Sequence, residues 1–204
     1  MRPLSLPRTR LDRAARRAQI IEASASVFKG RDPSEVTFEE IAESAGVSRA
    51  LVYNYFGDRR GLLEAIHDRH YGSLQRQIEA ALVSTRGRRQ AFEAVIQVHL
   101  NFAQNDASAY RAAIGLHVLP HDPQLSEARI RDLAKMFGGS PRAMIMGTGV
   151  LHAMWAMVLR AVERKEVPIE EAAIVITASL WSGLLALDEL GLTLTPFWEI
   201  PQPA

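Results

Sequence analysis

The sequence predicts an all-α fold of about nine helices, and three observations carry that expectation. Strand signals are nearly absent: few stretches alternate apolar with polar residues, and no Asn-Gly or Asp-Gly pair joins two β-branched runs. Helix-capping residues recur ahead of apolar runs of helical period, with glycine or proline behind them. The composition, 48% hydrophobic and 23% charged over 204 residues, supports a buried core and excludes a disordered chain.

The elements follow in order. Thr9 and Asp12 form an N-cap pair for a first helix reaching about Lys29, in which Ile20/Ile21, Ser24/Ala25 and Val27/Phe28 recur at helical spacing. Gly30 to Glu35, with Asp32-Pro33-Ser34, reads as a turn. Thr37 and Glu40 match the Thr-x-x-Glu box, in which hydroxyl and carboxylate each satisfy a free amide, opening a short helix with Phe38, Ile41 and Ala42 inward. Gly46 ends that helix. Ser48 caps a second short one, Arg49 to Phe56, which Gly57 stops, and Asp58 caps a long fourth helix to about Leu82. Gln90 to Asn105, Ala107 to Leu119 and Ser126 to Phe137 follow, separated by Asp106, by Pro120-His121-Asp122-Pro123 and by Gly138-Gly139. Ser140-Pro141 starts a long helix to about Lys165, since proline suits a first turn whose amides are unpaired anyway. Pro168 and Gly191 bracket the last helix, and three prolines make Thr195 to Ala204 irregular. Residues 1–58 form one domain with a basic tail, and 59–204 a second.

Residues 37 to 56 carry the functional signal. Two short capped helices flank Gly46-Val47-Ser48, where a glycine free to take positive φ and an apolar Val47 plugging the corner force a steep crossing. The second helix can then enter a DNA major groove. Arg49 and Ala50 face outward at its start and Asn54 lies within two turns; arginine pairs bidentately with guanine, asparagine with adenine. Tyr53 and Tyr55 offer hydroxyls, while Arg59 and the amide end capped by Ser48 suit phosphate oxygens. The same spacing also fits a helical protein that never meets DNA, with Tyr53 as a core aromatic whose hydroxyl reaches the surface.

The stretch Ile20-Ile21-Glu22-Ala23 through Val27-Phe28, then Thr37-Phe38-Glu39-Glu40-Ile41-Ala42-Glu43-Ser44-Ala45-Gly46-Val47-Ser48-Arg49-Ala50-Leu51-Val52-Tyr53-Asn54-Tyr55-Phe56, Asp58-Arg59 and Leu62-Leu63, closely resembles the DNA-binding region of TetR-family transcriptional regulators. The resemblance covers about residues 13–65. It implies a homodimer of nine- or ten-helix chains with three N-terminal helices on DNA, and a divergent C-terminal domain that binds a small effector and releases the operator. It also implies DNA contacts for Thr37, Arg49, Tyr53, Tyr55 and Arg59, with Ala50, Leu51 and Asn54 adding base or methyl contacts. The chain departs from the family at Gly30-Arg31-Asp32-Pro33, where a glycine–aromatic pair is usual, at Ala50, often glycine, and at Tyr55, usually histidine; an operator sequence does not carry over.

Beyond residue 66 the chain holds more helix than a DNA reader needs. Phe92, Ile96, His99 and Phe102 fall at helical spacing, as do Tyr110, Ile114 and His117, and Met144, Thr148, His152 and Trp155. Facing inward together, these stripes could enclose an apolar ligand cavity with a few polar anchors; each stripe taken alone is more often plain core, and each histidine alone more often a satisfied core or surface group. The last two long helices carry small residues, Gly147, Gly149, Ala153 and Ala156 on one and Ala172, Ala173, Ala178, Gly183 and Ala186 on the other. Paired with a second copy they form a two-fold four-helix interface, spacing two recognition helices about 34–36 Å apart on an inverted-repeat operator. An effector then acts by favouring a state in which the fourth helix moves the reading heads off that spacing. Repression relieved by a small, largely apolar ligand is the expected function, with a regulator lacking a small effector, or an activator, as the alternatives.

Charge and exclusions complete the reading. Residues 1–60 carry a net +3 and the remainder −2, and Arg2, Arg8, Arg10, Arg13, Arg16 and Arg17 face only Asp12; the basic end is either phosphate-facing or a solvated tail. With no cysteine, disulfides, thiol nucleophiles and cysteine metal sites are excluded. No long apolar run follows the basic opening, and Ala143 to Leu159 and Ala172 to Leu187 fall short of the roughly 20 residues of a membrane span, so the chain reads as cytoplasmic with both stretches buried in a bundle. No catalytic constellation or cofactor fingerprint is present. A helical metalloenzyme using His99, His117, His121 and His152 is the rival class, but these lie on separate elements with no His-x-x-x-His pair; His67 and His70 are a single pair. No metal or cofactor is expected.

Overall fold

The computed structural model describes residues 12–28, 31, 35–114, 127, 130–131, 134 and 139–189. Among them are eight helices and no strand: α1 (Arg13–Phe28), α2 (Phe38–Ser44), α3 (Arg49–Phe56), α4 (Arg59–Leu82), α5 (Arg88–Asn105), α6 (Ala107–Ile114), α7 (Pro141–Arg164) and α8 (Ile169–Glu189). The expected helix over Ser126 to Phe137, the end of the one expected to reach Leu119, the loop around Gly30-Arg31-Asp32-Pro33 and the proline-rich tail lie wholly or largely outside the described residues. The chain divides into two compact units, Met1–Ile66 and His67–Ala204, the division falling within α4.

In the first unit, Asp12 Oδ1 accepts the Ala15 amide at 2.6 Å and its carbonyl accepts the Arg16 amide, so Asp12 caps α1. Thr9, its expected partner in the cap, lies outside the described residues. α1 buries Ile20, Ile21 and Ser24, whose hydroxyl is satisfied by the Ile20 carbonyl at 2.7 Å. Around them close Val36, Phe38, Ile41, Ala42, Ala45, Val52, Phe56, Leu62 and Ile66.

The helix-turn-helix corner forms as its residues dictate. Thr37 Oγ1 accepts the Glu40 amide and Glu40 returns a carboxylate oxygen to the Thr37 amide at 2.8 Å, completing the capping box. At the other end Val47 N–H reaches the Ala42 carbonyl and Gly46 N–H the Glu43 carbonyl, the double closure that requires a left-handed residue, supplied by Gly46 at φ 63°. Gln19 Nε2 donates to the Ala45 carbonyl at 2.9 Å, tying α1 to this corner. Ser48 caps α3 through the Leu51 amide, and Asp58 caps α4 through the Gly61 amide. At Gly61 an added Cβ would stand 2.2 Å from the Phe56 carbonyl oxygen, so only glycine lets the two helices meet there.

In the second unit, α5 packs on α7 and α8, and α6 on α5 and α7. The core joins Ile96, Leu100 and Ala103 of α5, Tyr110, Ala113 and Ile114 of α6, Leu151, Met154, Trp155 and Val158 of α7, and Ile176 of α8. Asp106 caps α6 with one carboxylate oxygen on two amides at 2.9 Å. Ser140 caps α7, Pro141 sits in its first turn, and Lys165 closes it in the left-handed conformation.

Two expectations about α7 and α8 need correction. As helices they exceed the apolar stretches read from the sequence, and both Pro141–Arg164 and Ile169–Ala186 are long and apolar enough to cross a membrane by length and composition. Nor are they wholly buried: Ile145, Ile174, Val175 and Leu185 are exposed in the single chain. The small residues also divide. Gly147 faces the Ile130 carbonyl and Ala172 is buried, whereas Gly149, Ala156, Ala178, Gly183 and Ala186 lie on the surface.

Candidate nucleic-acid interface

α3 is held by two buried residues and leaves four on its exposed face. Val52 and Phe56 are buried, one helical turn apart, which turns Arg49, Ala50, Tyr53 and Asn54 to the opposite, exposed face. Leu51 and Tyr55 sit half-buried at its edges, and Ser48 is exposed at its amide end. An exposed helix face with arginine at its first position and asparagine in its second turn has the donor chemistry that guanine and adenine edges accept.

Arg49 is engaged before any duplex arrives. Its guanidinium forms an ion pair with Glu39 of α2, donates to the Tyr53 hydroxyl at 3.2 Å, and stands 5.3 Å from the Tyr53 ring centroid. The Tyr53 hydrogen bond and the Glu39 charge hold it protonated, raising its pKa further. Tyr53 itself is 41% exposed, with its ring against buried Phe38 at 4.5 Å, so it is both a packing residue and a surface hydroxyl. On α1, Arg13 lies over the Tyr55 ring at 5.8 Å and Arg17 over Phe56 at 5.4 Å, bringing two cations of the basic end against α3.

Arg59 departs from expectation. Its Nη1 donates to the Val36 carbonyl at 2.6 Å and its Nη2 is buried with no hydrogen-bond partner, so this guanidinium serves the fold and is not presented to phosphate. Val36 precedes the capping box and its carbonyl has no helical partner, which is why a nearby cation is drawn inward. Thr37 is exposed, with its hydroxyl shared between the Glu40 amide and carboxylate. Sequence reasoning missed Glu39, Arg13 and Arg17 as neighbours of the reading face. Glu39 looked like a first-turn acid serving the helix dipole, and nothing local shows that it reaches across the corner.

The ligand stripes of the second unit are only partly brought together. Ile96, His99, Phe102, Tyr110, Ile114 and Trp155 are buried, and Phe92 and Met144 half-buried, with Phe92 5.7 Å from Trp181. His99 Nδ1 and the Tyr110 hydroxyl are hydrogen-bonded at 2.9 Å, and burial pushes the Tyr110 phenol up beyond its ordinary range. Thr148 and His152 are exposed, each bonded back to its own helix at the Met144 and Thr148 carbonyls. Their inward placement is corrected: two successive steps of four residues rotate a helix face by about 80°, while Gly147, Leu151, Met154 and Val158 keep to the core side. His117 and His121 lie outside the described residues. With His99 buried against Tyr110 and His152 exposed, those two do not converge, and among the described residues no three potential metal ligands cluster.

The fold and its exposed recognition face define a helix-turn-helix protein. Residues 20–66 match the family model described as bacterial regulatory proteins, tetR family. The chain is 33% identical over 102 residues to the HTH-type transcriptional activator FasR of Mycolicibacterium smegmatis, a match that takes in 50% of this chain and 47% of FasR. It thus spans about half the length of that relative. A TetR-like transcriptional regulator from Rhodococcus sp. RHA1 superposes with a TM-score of 0.68 at 21% identity, over 86% of this chain and 99% of that one. The regulator FadR from Bacillus subtilis, in complex with stearoyl-CoA, superposes with a TM-score of 0.66 at 15% identity, over 81% of this chain and 98% of that one. Residues 20–66 thus match the TetR-family DNA-binding region, and the chain is similar over about half its length to DNA-binding transcription regulators.

Proposed function

We propose that this protein is a sequence-specific transcriptional regulator that binds an inverted-repeat operator as a homodimer and changes its occupancy when a small, largely apolar ligand enters the second unit. The observation that carries the reading is the α3 face: Arg49, Ala50, Tyr53 and Asn54 exposed together while Val52 and Phe56 anchor the helix. The dimer is supported by Ile145, Ile174, Val175 and Leu185, large apolar residues of the two longest apolar helices left in water by the single chain. The ligand reading is supported by an aromatic core around one buried polar pair, His99 and Tyr110, and by a fold neighbour solved with an acyl-CoA. We take His99 and Tyr110 as the anchors for a polar head, and acyl-chain compounds as the first ligands to test. Such a regulator works on duplex DNA in the cytoplasm.

Selecting bound fragments from random duplex DNA tests the first half: a recovered site with two-fold symmetry supports it, and no enrichment overturns it. Calorimetric titration of a ligand with and without that site tests the second, because linkage requires the operator to weaken ligand binding by the factor by which ligand weakens operator binding. Equal ligand affinities in both titrations overturn the ligand reading. Because the relative FasR is a transcriptional activator, the sign of regulation is a matter for a reporter assay of the recovered site.

A further inference from the structure

Arg49 is bound on both sides by its own protein. Glu39 reaches across the helix-turn-helix corner to pair with it, Tyr53 accepts one of its N–H groups, and Phe38, the residue beside Glu39, supports the Tyr53 ring at 4.5 Å. The pair is open to water, with Arg49 and Glu39 side chains 56% and 55% exposed, so it adds little to stability. An anion at a surface that must approach phosphates is otherwise unfavourable, and its placement against the outward-facing arginine of α3 calls for a role.

We propose that Glu39 is a positioning residue that sets the sequence selectivity of the interface by holding the Arg49 guanidinium against Tyr53 and away from phosphate oxygens. The inference rests on the reading of α3 as the recognition helix. Against a duplex of arbitrary sequence, the Glu39–Arg49 pair presents no net charge, so this arginine displaces no counterion and adds nothing to non-specific affinity. A guanine edge in register offers two acceptors to the fork of an arginine already oriented along the reading face, and that bidentate contact outcompetes a solvated ion pair. Glu39 thereby lowers affinity for wrong sequences more than for the right one, which is how discrimination is gained when contacts to the correct partner are limited.

The test compares Glu39→Gln, Glu39→Asp and Glu43→Gln on the recovered operator and on a scrambled duplex, at several salt concentrations, each in the Arg49 and Arg49→Ala backgrounds. Glu43 is another exposed carboxylate of α2 and serves as the charge control. Glu39→Gln is expected to raise affinity for the scrambled duplex about 3- to 10-fold and steepen its log–log salt slope by about one per reading head, while operator affinity changes less than about 2-fold. Glu39→Asp keeps the charge but withdraws the carboxylate, and is expected to relax the base preference at the position Arg49 reads with the salt slope unchanged. Both losses of selectivity vanish in the Arg49→Ala background. Equal effects of Glu39→Gln and Glu43→Gln, or the same effects with and without Arg49, overturn the proposal and leave the DNA-binding reading standing. A wild-type protein that selects no sequence overturns both.

Discussion

Arg49 and Arg59 flank one short helix, and their surroundings give the same side chain opposite tasks. Arg49 stays on the surface, exchangeable between a carboxylate and a base edge, whereas Arg59 is drawn in to the Val36 carbonyl. Arg49→Ala is therefore expected to remove roughly 1–3 kcal/mol of discrimination between operator and unrelated duplex, measured by competition binding. Arg59→Ala is expected to lower the thermal midpoint by an amount equivalent to roughly 1–2 kcal/mol with the salt slope of DNA binding unchanged. A flattened slope in that variant would return Arg59 to the phosphate contacts. In the second unit His99 and Tyr110 form one hydrogen-bonded unit, so Tyr110→Phe and His99→Phe are each expected to destabilise by roughly 1–3 kcal/mol and the double variant by less than their sum. Denaturant titration of the four-member cycle measures the coupling.

α2 is a short helix that depends on its cap. The Glu40 carboxyl is drawn from its ordinary 4.5 down to about 2, first by the Thr37 backbone amide, then by the Arg31 guanidinium and the Thr37 hydroxyl. A carboxyl whose pKa is lower in the folded chain binds its proton more weakly there. Its stabilising contribution is complete above about pH 4.5 and is lost as pH falls towards 2. Glu40→Gln is expected to flatten the pH dependence of stability within that window, as followed by thermal unfolding at a series of pH values. The two ends of α2 also explain how the corner was legible. Capping box, Gly46 closure and Ser48 cap are all contacts within a few residues, so residue type and spacing specify them. The contact from Glu39 to Arg49 crosses the corner, and spacing alone does not reveal it.

For the whole molecule, the proposed assembly rests on the exposed apolar residues of α7 and α8. Ile174 is 69% exposed on the most apolar stretch of α8, and Ile174→Glu places a charge where a second copy is proposed to pack. The variant is expected to sediment as a monomer at micromolar concentration and to bind the full inverted repeat no more tightly than a half-site. A variant that stays dimeric and keeps operator affinity would move the interface elsewhere. The ligand stripes show the limit of periodicity at this scale. Met144, Thr148, His152 and Trp155 share a nominal helix face, yet Thr148 and His152 drift into water because the fourfold step overshoots a helical turn while the core follows Gly147, Leu151 and Val158.

By itself the sequence determined the all-α class, the caps and ends of most described helices, and the outward face of α3, because each depends on interactions between residues a turn or less apart. Only the tertiary structure decided that Arg59 turns inward, that Glu39 holds Arg49, and that Thr148 and His152 leave the core. Each of these depends on which distant carbonyl, carboxylate or apolar surface the folded chain brings within a few ångströms, and no local pattern encodes that meeting.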